Sequence, residues 1–150
     1  MTVRVQAADF DIAAEIKALQ GERTDIGAIV TFTGTVRGTT KAGDITRMTL
    51  EHYPGMTEAE LARVEMEAHE RWPLQGATII HRIGDLAPGD NIVLVVTASK
   101  HRHAAFESAE FLMDYLKSKA PFWKKEDHAG SARWVDARDA DDSAVTRWKR

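Results

Sequence analysis

Ile92-Val93-Leu94-Val95-Val96 is an unbroken run of five apolar residues, and it restricts the fold more than any other stretch of this chain. Successive side chains of a strand point to opposite faces, so such a run is stable only where both faces are covered. Ile92 to Ser99 is therefore expected to be a central strand with a layer of structure on each side.

Helices are available for those layers. Thr57-Glu58-Ala59-Glu60 reads as a capping box, in which Thr57 and Glu60 satisfy each other's backbone donors. The helix that it opens carries Leu61, Val64, Ala68 and Trp72 on one face and stops at Pro73. Ala105, Ala109, Leu112 and Leu116 mark a second long helix, with a stripe widened by Phe111 and Tyr115 and an extent limited by Pro121. A shorter helix places Ile12, Ile16 and Leu19 on one face, with Asp9 as its cap and Gly21 at its end.

Further strands are expected at Val3 to Val5, at Gly27 to Val36, at Met48 to His52 before Pro54-Gly55, and at Ala77 to Ile83. Phe122 to Lys125 and Arg133 to Val135 read as short extended pieces. Gly38 to Asp44 reads as a polar loop, and Gly84-Asp85 and Pro88-Gly89-Asp90 as turns. The acidic C-terminal tail ends in Arg147-Trp148-Lys149-Arg150. Strands and helices mix without strict βαβ alternation, so the fold class is α+β, with a largely antiparallel sheet and two longer helices.

The 150 residues suit one domain with a core that needs no staples. The motif-bearing part runs from about 27 to 138, followed by a tail over 139–150. With 43% hydrophobic and 29% charged residues the chain is ordinary for a globular protein. Its formal net charge of -3 lacks the basic excess of a nucleic-acid binder. There is no cysteine, which excludes disulfides, thiolate metal sites and cysteine nucleophiles. No run approaches the roughly 18 apolar residues of a membrane span, so a cytoplasmic protein is the expectation. His52, His69, His81 and His128 show no metal-ligand spacing and read as structural or solvated.

The cations are distributed unevenly. Arg37 follows a strand, Lys100-His101-Arg102-His103 follows another, and Lys117 to Lys125 brackets Pro121-Phe122-Trp123 after the second long helix. Loops at element ends are where a scaffold presents functional groups. Brought together, these three stretches would supply guanidinium forks for a phosphate or carboxylate, and ammonium groups for proton transfer or charge stabilisation. Each also has an ordinary reading: a loop arginine, residues preceding a helix, or a lysine favoured by a helix C-terminus. Cations at a helix N-terminus oppose its dipole, which tilts Lys100 to His103 towards function.

Several motifs in one frame carry a resemblance. Thr31-Phe32-Thr33-Gly34-Thr35-Val36-Arg37, Leu50-Glu51-His52-Tyr53-Pro54-Gly55-Met56, Ile80-His81-Arg82-Ile83-Gly84, Lys100-His101-Arg102 and Met113 through Glu126 together resemble the large, catalytic subunit of molybdopterin synthase. That resemblance implies an α/β hammerhead-type fold and a homodimer within a heterotetramer. It also implies a small ubiquitin-like sulfur-carrier subunit docked on each protomer, its C-terminal Gly-Gly thiocarboxylate entering the pocket. Two sulfurs would pass to cyclic pyranopterin monophosphate, giving the dithiolene of molybdopterin, with no cofactor or metal of the chain's own. In the family frame Lys117 and Lys124 are the catalytic residues. Thr35, Val36, Arg37, His101, Arg102, Lys125 and Glu126 are substrate-binding, and Arg138 looks like the arginine that reaches in from the other protomer. Thr35 stands where a basic residue can occur, and Lys100 and His103 flank the His-Arg pair where small residues can stand.

Two features fit this picture independently of the family. A cyclic phosphate and a thiocarboxylate are both anions, which suits a cation-lined pocket. A chain without cysteine must take its sulfur from a partner or a small molecule, as a separate carrier would provide. The rival reading is an anion- or single-stranded-nucleic-acid-binding module using the basic Lys117 to Lys125 cleft, with Phe122 and Trp123 stacking on bases. Net acidity argues against it.

Overall fold

A computed structural model describes residues 2–41, 43–129, 131–135 and 139–149. In chain order the elements are β1 (Thr2–Gln6), α1 (Ile12–Gln20), β2 (Ala28–Thr35), β3 (Thr39–Thr40), β4 (Gly43–Asp44), β5 (Arg47–His52), α2 (Met56–Arg71), β6 (Leu74–Arg82), β7 (Gly84–Leu86), β8 (Asn91–Ser99), α3 (Arg102–Ser118), β9 (Phe122–His128), β10 (Ser131–Val135) and α4 (Asp139–Thr146). The first sheet has the order β1-β6-β8-β2 and the second β10-β9-β5-β7, while β3 and β4 form a small hairpin. Every pairing is antiparallel except that of β1 with β6. The α+β class and the largely antiparallel sheet stand as expected.

The apolar run occupies the place its composition demands. β8 is an inner strand, with Val93 and Val95 turned towards Leu61, Val64, Ala68, Leu112 and Leu116 of α2 and α3. Leu94 and Val96 lie on the opposite face with Ile80, covered by Phe10, Ile12, Ile16 and Leu19 from α1 and the turn before it. Leu94, Val95 and Val96 are fully buried. At roughly 1.5–3 kcal/mol per buried aliphatic side chain, this run is a major part of the hydrophobic stabilisation.

The second sheet has its own small core of Val36, Met48, Leu50 and Leu86. Ile92 packs against this core and against the helix-covered one, so it joins the two. β2 carries a bulge between Gly34 and Thr35, just before Val36 enters the core of the second sheet. A Cβ on Gly34 would lie 2.9 Å from the Val93 Cγ1, so only glycine lets β2 approach β8 there.

Four local expectations are corrected. The cap of α1 is Asp11, whose Oδ1 accepts from the Ala14 N–H at 3.0 Å. Asp9 instead accepts from the Phe10 N–H and the Asn91 side chain. The cap of α2 is Gly55, at a φ of 86°, and its N–H donates to Glu58 Oε1 at 3.1 Å. Thr57, the second residue of the helix, is fully buried, accepting from the Tyr53 N–H and donating to the Pro121 carbonyl, both at 3.0 Å. The 38–44 loop carries the β3–β4 hairpin, and the turn at Gly84-Asp85 is part of the edge strand β7. The acidic tail contains α4, after which Trp148 inserts beside Trp72 and Phe111, with ring centroids 5.6 and 5.5 Å away.

Candidate functional site

β9 alternates, and the alternation divides the basic segment that the sequence presents as one cluster. Lys124 and Glu126 face a cleft with Met48 and Leu50 of β5, their cross-strand partners being Leu50 and Met48 respectively. Lys125 points to the other side of the sheet, where its ammonium lies 5.9 Å from the centre of the Trp134 ring. A residue step of one in a strand reverses the face, so adjacent lysines are separated by the sheet itself.

The cleft has a volume of about 290 Å³. Thr35 and Arg37 reach it from the end of β2, Lys117 from the last turn of α3, and Lys124 and Glu126 from β9. Its walls include Ile92, Leu116 and Phe122, so the cations stand against apolar surface. Low-polarity walls strengthen the attraction of those charges for an anion. Lys117 is placed favourably, since the C-terminal end of a helix dipole attracts a cation.

Lys124 is tethered. Its Nζ lies 3.9 Å from Glu126 Oε2, and Glu126 Oε1 lies 3.2 Å from His128 Nε2. His128 Nδ1 is 3.0 Å from the Asp44 carbonyl. That carbonyl can only accept, so Nδ1 carries a proton. The chain of contacts runs from the hairpin through two buried side chains to Lys124. Glu126 thus works at the site as a partner for a cation, in addition to lining the cleft.

The Pro121-Phe122-Trp123 step is held from both sides. Thr57 binds the Pro121 carbonyl, Phe122 stacks on His81 with ring centroids 3.8 Å apart, and Trp123 meets Tyr53 edge to face at 4.5 Å. This fixes the turn between Lys117 and Lys124.

His81 lines the cleft, a position that its reading as a structural or solvated residue did not foresee. Strand alternation was the available signal, because it puts His81 on the same face of β6 as Ile79, towards α2 and α3. Burial pushes the imidazole down to about 4, with the nearby Lys117 and His52 charges adding to that effect against the Arg82 carbonyl. The ring is therefore neutral at physiological pH.

The remaining predicted residues lie elsewhere. Val36 is buried in the core of the second sheet. His101 is the cap residue of α3 and Arg102 its first residue, at the opposite end from Lys117. A rise of 1.5 Å per residue separates Arg102 from Lys117 by about 22 Å, so within one chain the three cationic stretches do not all converge. His101 instead lines a second cavity of about 530 Å³, with Trp72, Leu74, Gln75 and Lys100. Gly27 packs there so closely that a Cβ would meet the Lys100 carbonyl oxygen at 2.1 Å. Arg138 lies outside the described residues. Among the described residues no cluster of three His, Asp or Glu side chains is arranged to hold a metal, and no helix is long and apolar enough to cross a membrane.

Comparison with known proteins gives a consistent result. The family model described as MoaE protein matches residues 5–119. A relative from Rhizobium meliloti (strain 1021), named molybdopterin synthase catalytic subunit, is 62% identical over 152 residues, covering 100% of this chain and 97% of its own. The solved molybdopterin biosynthesis MoaE protein from Burkholderia ambifaria MC40-6 superposes with a TM-score of 0.84 at 51% identity, covering 98% and 97% of the two chains. A molybdopterin synthase structure from Staphylococcus aureus superposes with a TM-score of 0.81 at 31% identity, covering 88% of this chain and 95% of that one.

Proposed function

The chain belongs to the MoaE protein family, and from that premise we propose that it is the catalytic subunit of a molybdopterin synthase. It transfers two sulfurs from the C-terminal thiocarboxylate of a small carrier subunit to cyclic pyranopterin monophosphate. The observation that carries this reading is the meeting of Arg37, Lys117 and Lys124 at one cleft, from three distant stretches of a chain that has no cysteine.

In this reading Arg37 holds the substrate phosphate, since a guanidinium presents two parallel donors to such an anion. Thr35, beside it, offers a hydroxyl. The carrier's tail enters with its thiocarboxylate beside Lys117 and Lys124. Each transfer develops negative charge on oxygen and requires protons to move, and two ammonium groups set against apolar walls stabilise the first and supply the second. Glu126 keeps the Lys124 ammonium directed into the cleft. His101 and Arg102, far from Lys117 in their own chain, act at the cleft of a second protomer, and Arg138 does the same. The assembly is a homodimer of this chain with one carrier on each protomer.

The rival binding-module reading needs Phe122 and Trp123 as platforms for bases. Phe122 is already stacked on His81, and Trp123 is engaged by Tyr53. That leaves the enzyme reading as the better supported one.

Single-turnover assays with thiocarboxylated carrier test the roles. Lys117→Ala and Lys124→Ala are each expected to slow transfer about 100-fold or more, the scale of a lost proton-transfer or charge-stabilising group. Lys119→Ala, at the exposed end of α3, is expected to match the wild type. Wild-type rates in Lys117→Ala would remove Lys117 from the chemistry.

A further inference from the structure

The imidazole of His81 is held by a ring stack and by a hydrogen bond at one nitrogen. One ring face is stacked on Phe122, with planes 18° apart, and Nδ1 lies 2.8 Å from the Arg82 carbonyl oxygen. A carbonyl only accepts, so Nδ1 must carry the proton. In a neutral ring Nε2 is then a bare acceptor, and it is the nitrogen left for the cleft that His81 lines. This is the opposite of what Arg37, Lys117 and Lys124 present, because those groups only donate.

The surroundings of the ring are specific. From α3 comes Lys117, from β5 His52, from β9 Phe122, and from its own strand Arg82, whose guanidinium is occupied with the Ala7 and Asn91 carbonyls. His52 in turn lies 3.7 Å from Glu58. Burial and the neighbouring cations keep the imidazole uncharged throughout the physiological range.

We infer that His81 is a positioning residue for Lys117: its proton-free Nε2 gives the Lys117 ammonium a fixed acceptor on the wall of the cleft, directing the remaining donors towards the bound anion. The inference rests on the proposed sulfur-transfer function and adds to it a group that acts through Lys117 and does not touch the reacting atoms. A neutral acceptor suits this place better than a carboxylate, which would pair with the lysine and compete with an anionic substrate. It also suits it better than an unoccupied apolar wall, which would leave a long, flexible side chain free to sample many rotamers.

Two measurements test the inference by separate routes. Long-range nitrogen–proton spectra of the ¹⁵N-labelled full-length protein report the tautomer and the environment of each histidine ring. His81 is expected to be the Nδ1–H form from pH 5.5 to 8, and its Nε2 resonance is expected to move in Lys117→Met and to stay in place in Lys119→Met. An Nε2 resonance indifferent to Lys117→Met would overturn the inference, and this arm needs neither substrate nor a His81 variant. In the kinetic arm, His81→Asn keeps a donor for the Arg82 carbonyl and loses Nε2. Its kcat is expected to fall about 10- to 100-fold, the scale of one hydrogen bond to a charged group, with KM changed less and the pH profile displaced. His81→Gln, which restores a polar amide near the position of Nε2, is expected to recover part of the rate. A folded His81→Asn enzyme within twofold of wild type would equally overturn it. Should the wild type itself form no product, the proposed function fails, while the spectra still decide whether His81 and Lys117 are coupled.

Discussion

At the level of single residues, two buried titratable side chains oppose each other in their effect on stability. Glu65 on α2 is 1% exposed, its Oε2 has no partner, and burial raises its carboxyl to about 7. Its folded value lies above the unfolded one, so folding is penalised progressively as pH rises from about 4.5 to 7, and fully above that. His81 is the reverse case: with a folded value of about 4, it penalises folding as pH falls below about 6.5. The two effects partly offset each other between pH 4.5 and 6.5. Glu65→Gln is therefore expected to stabilise the protein by about 1–3 kcal/mol at pH 8, with little gain at pH 4.5 and a steeper loss of stability on the acid side. Urea titrations across this range check it, and an equal effect of the substitution at both ends would contradict the assignment. Helical spacing does mark Glu65, which stands four residues after Leu61 and three before Ala68 on the apolar stripe of α2. Asp9 and Asp11 are indistinguishable by pattern, and what separates them is that Asn91, a residue from a distant strand, occupies Asp9.

At the level of elements, legibility follows how local the stabilising contacts are. α3 and β8 are announced by their own periodicity, and α2 is too, apart from its cap. Thr57 looks like a capping residue because the pattern is right, yet its hydroxyl is used by Tyr53 and Pro121, the latter from a segment 64 positions away. The separation of Lys124 from Lys125 was available in principle, since a period of two follows once Phe122 to Lys125 is read as extended. So was the distance between His101 and Lys117, because they bound the same helix. α4 was not available: its acidic sequence has a weak apolar stripe, and its place is secured by what comes after it. Trp148 is only 6% exposed, donates to Asp114 Oδ2 at 2.6 Å, and receives the Arg71 guanidinium on its carbonyl. Trp148→Ala is expected to cost about 3–5 kcal/mol in equilibrium unfolding, as loss of a buried aromatic does, and to release the C-terminal helix to proteolysis. A cost below about 1 kcal/mol would mean that the tail is dispensable to the core.

At the level of the whole molecule, two sheets with separate cores meet at Ile92, and the cleft lies along that meeting. This explains why its charges come from residues so far apart in sequence. The first sheet and its helices supply Lys117 and His81, the second supplies Lys124 and Glu126, and the end of β2 with the residues just after it supplies Thr35 and Arg37. Charge alone could not reveal the arrangement, because a net charge of -3 conceals a local cationic site. The family resemblance pointed to its members, and the fold shows which of them one chain brings together. The most direct measurement mixes purified protein, thiocarboxylated carrier and cyclic pyranopterin monophosphate, and follows sulfur content by mass spectrometry. Expected is a product carrying two carrier-derived sulfurs, with release of carrier in its carboxylate form; a pyranopterin left without sulfur beside intact thiocarboxylated carrier would contradict the proposed function.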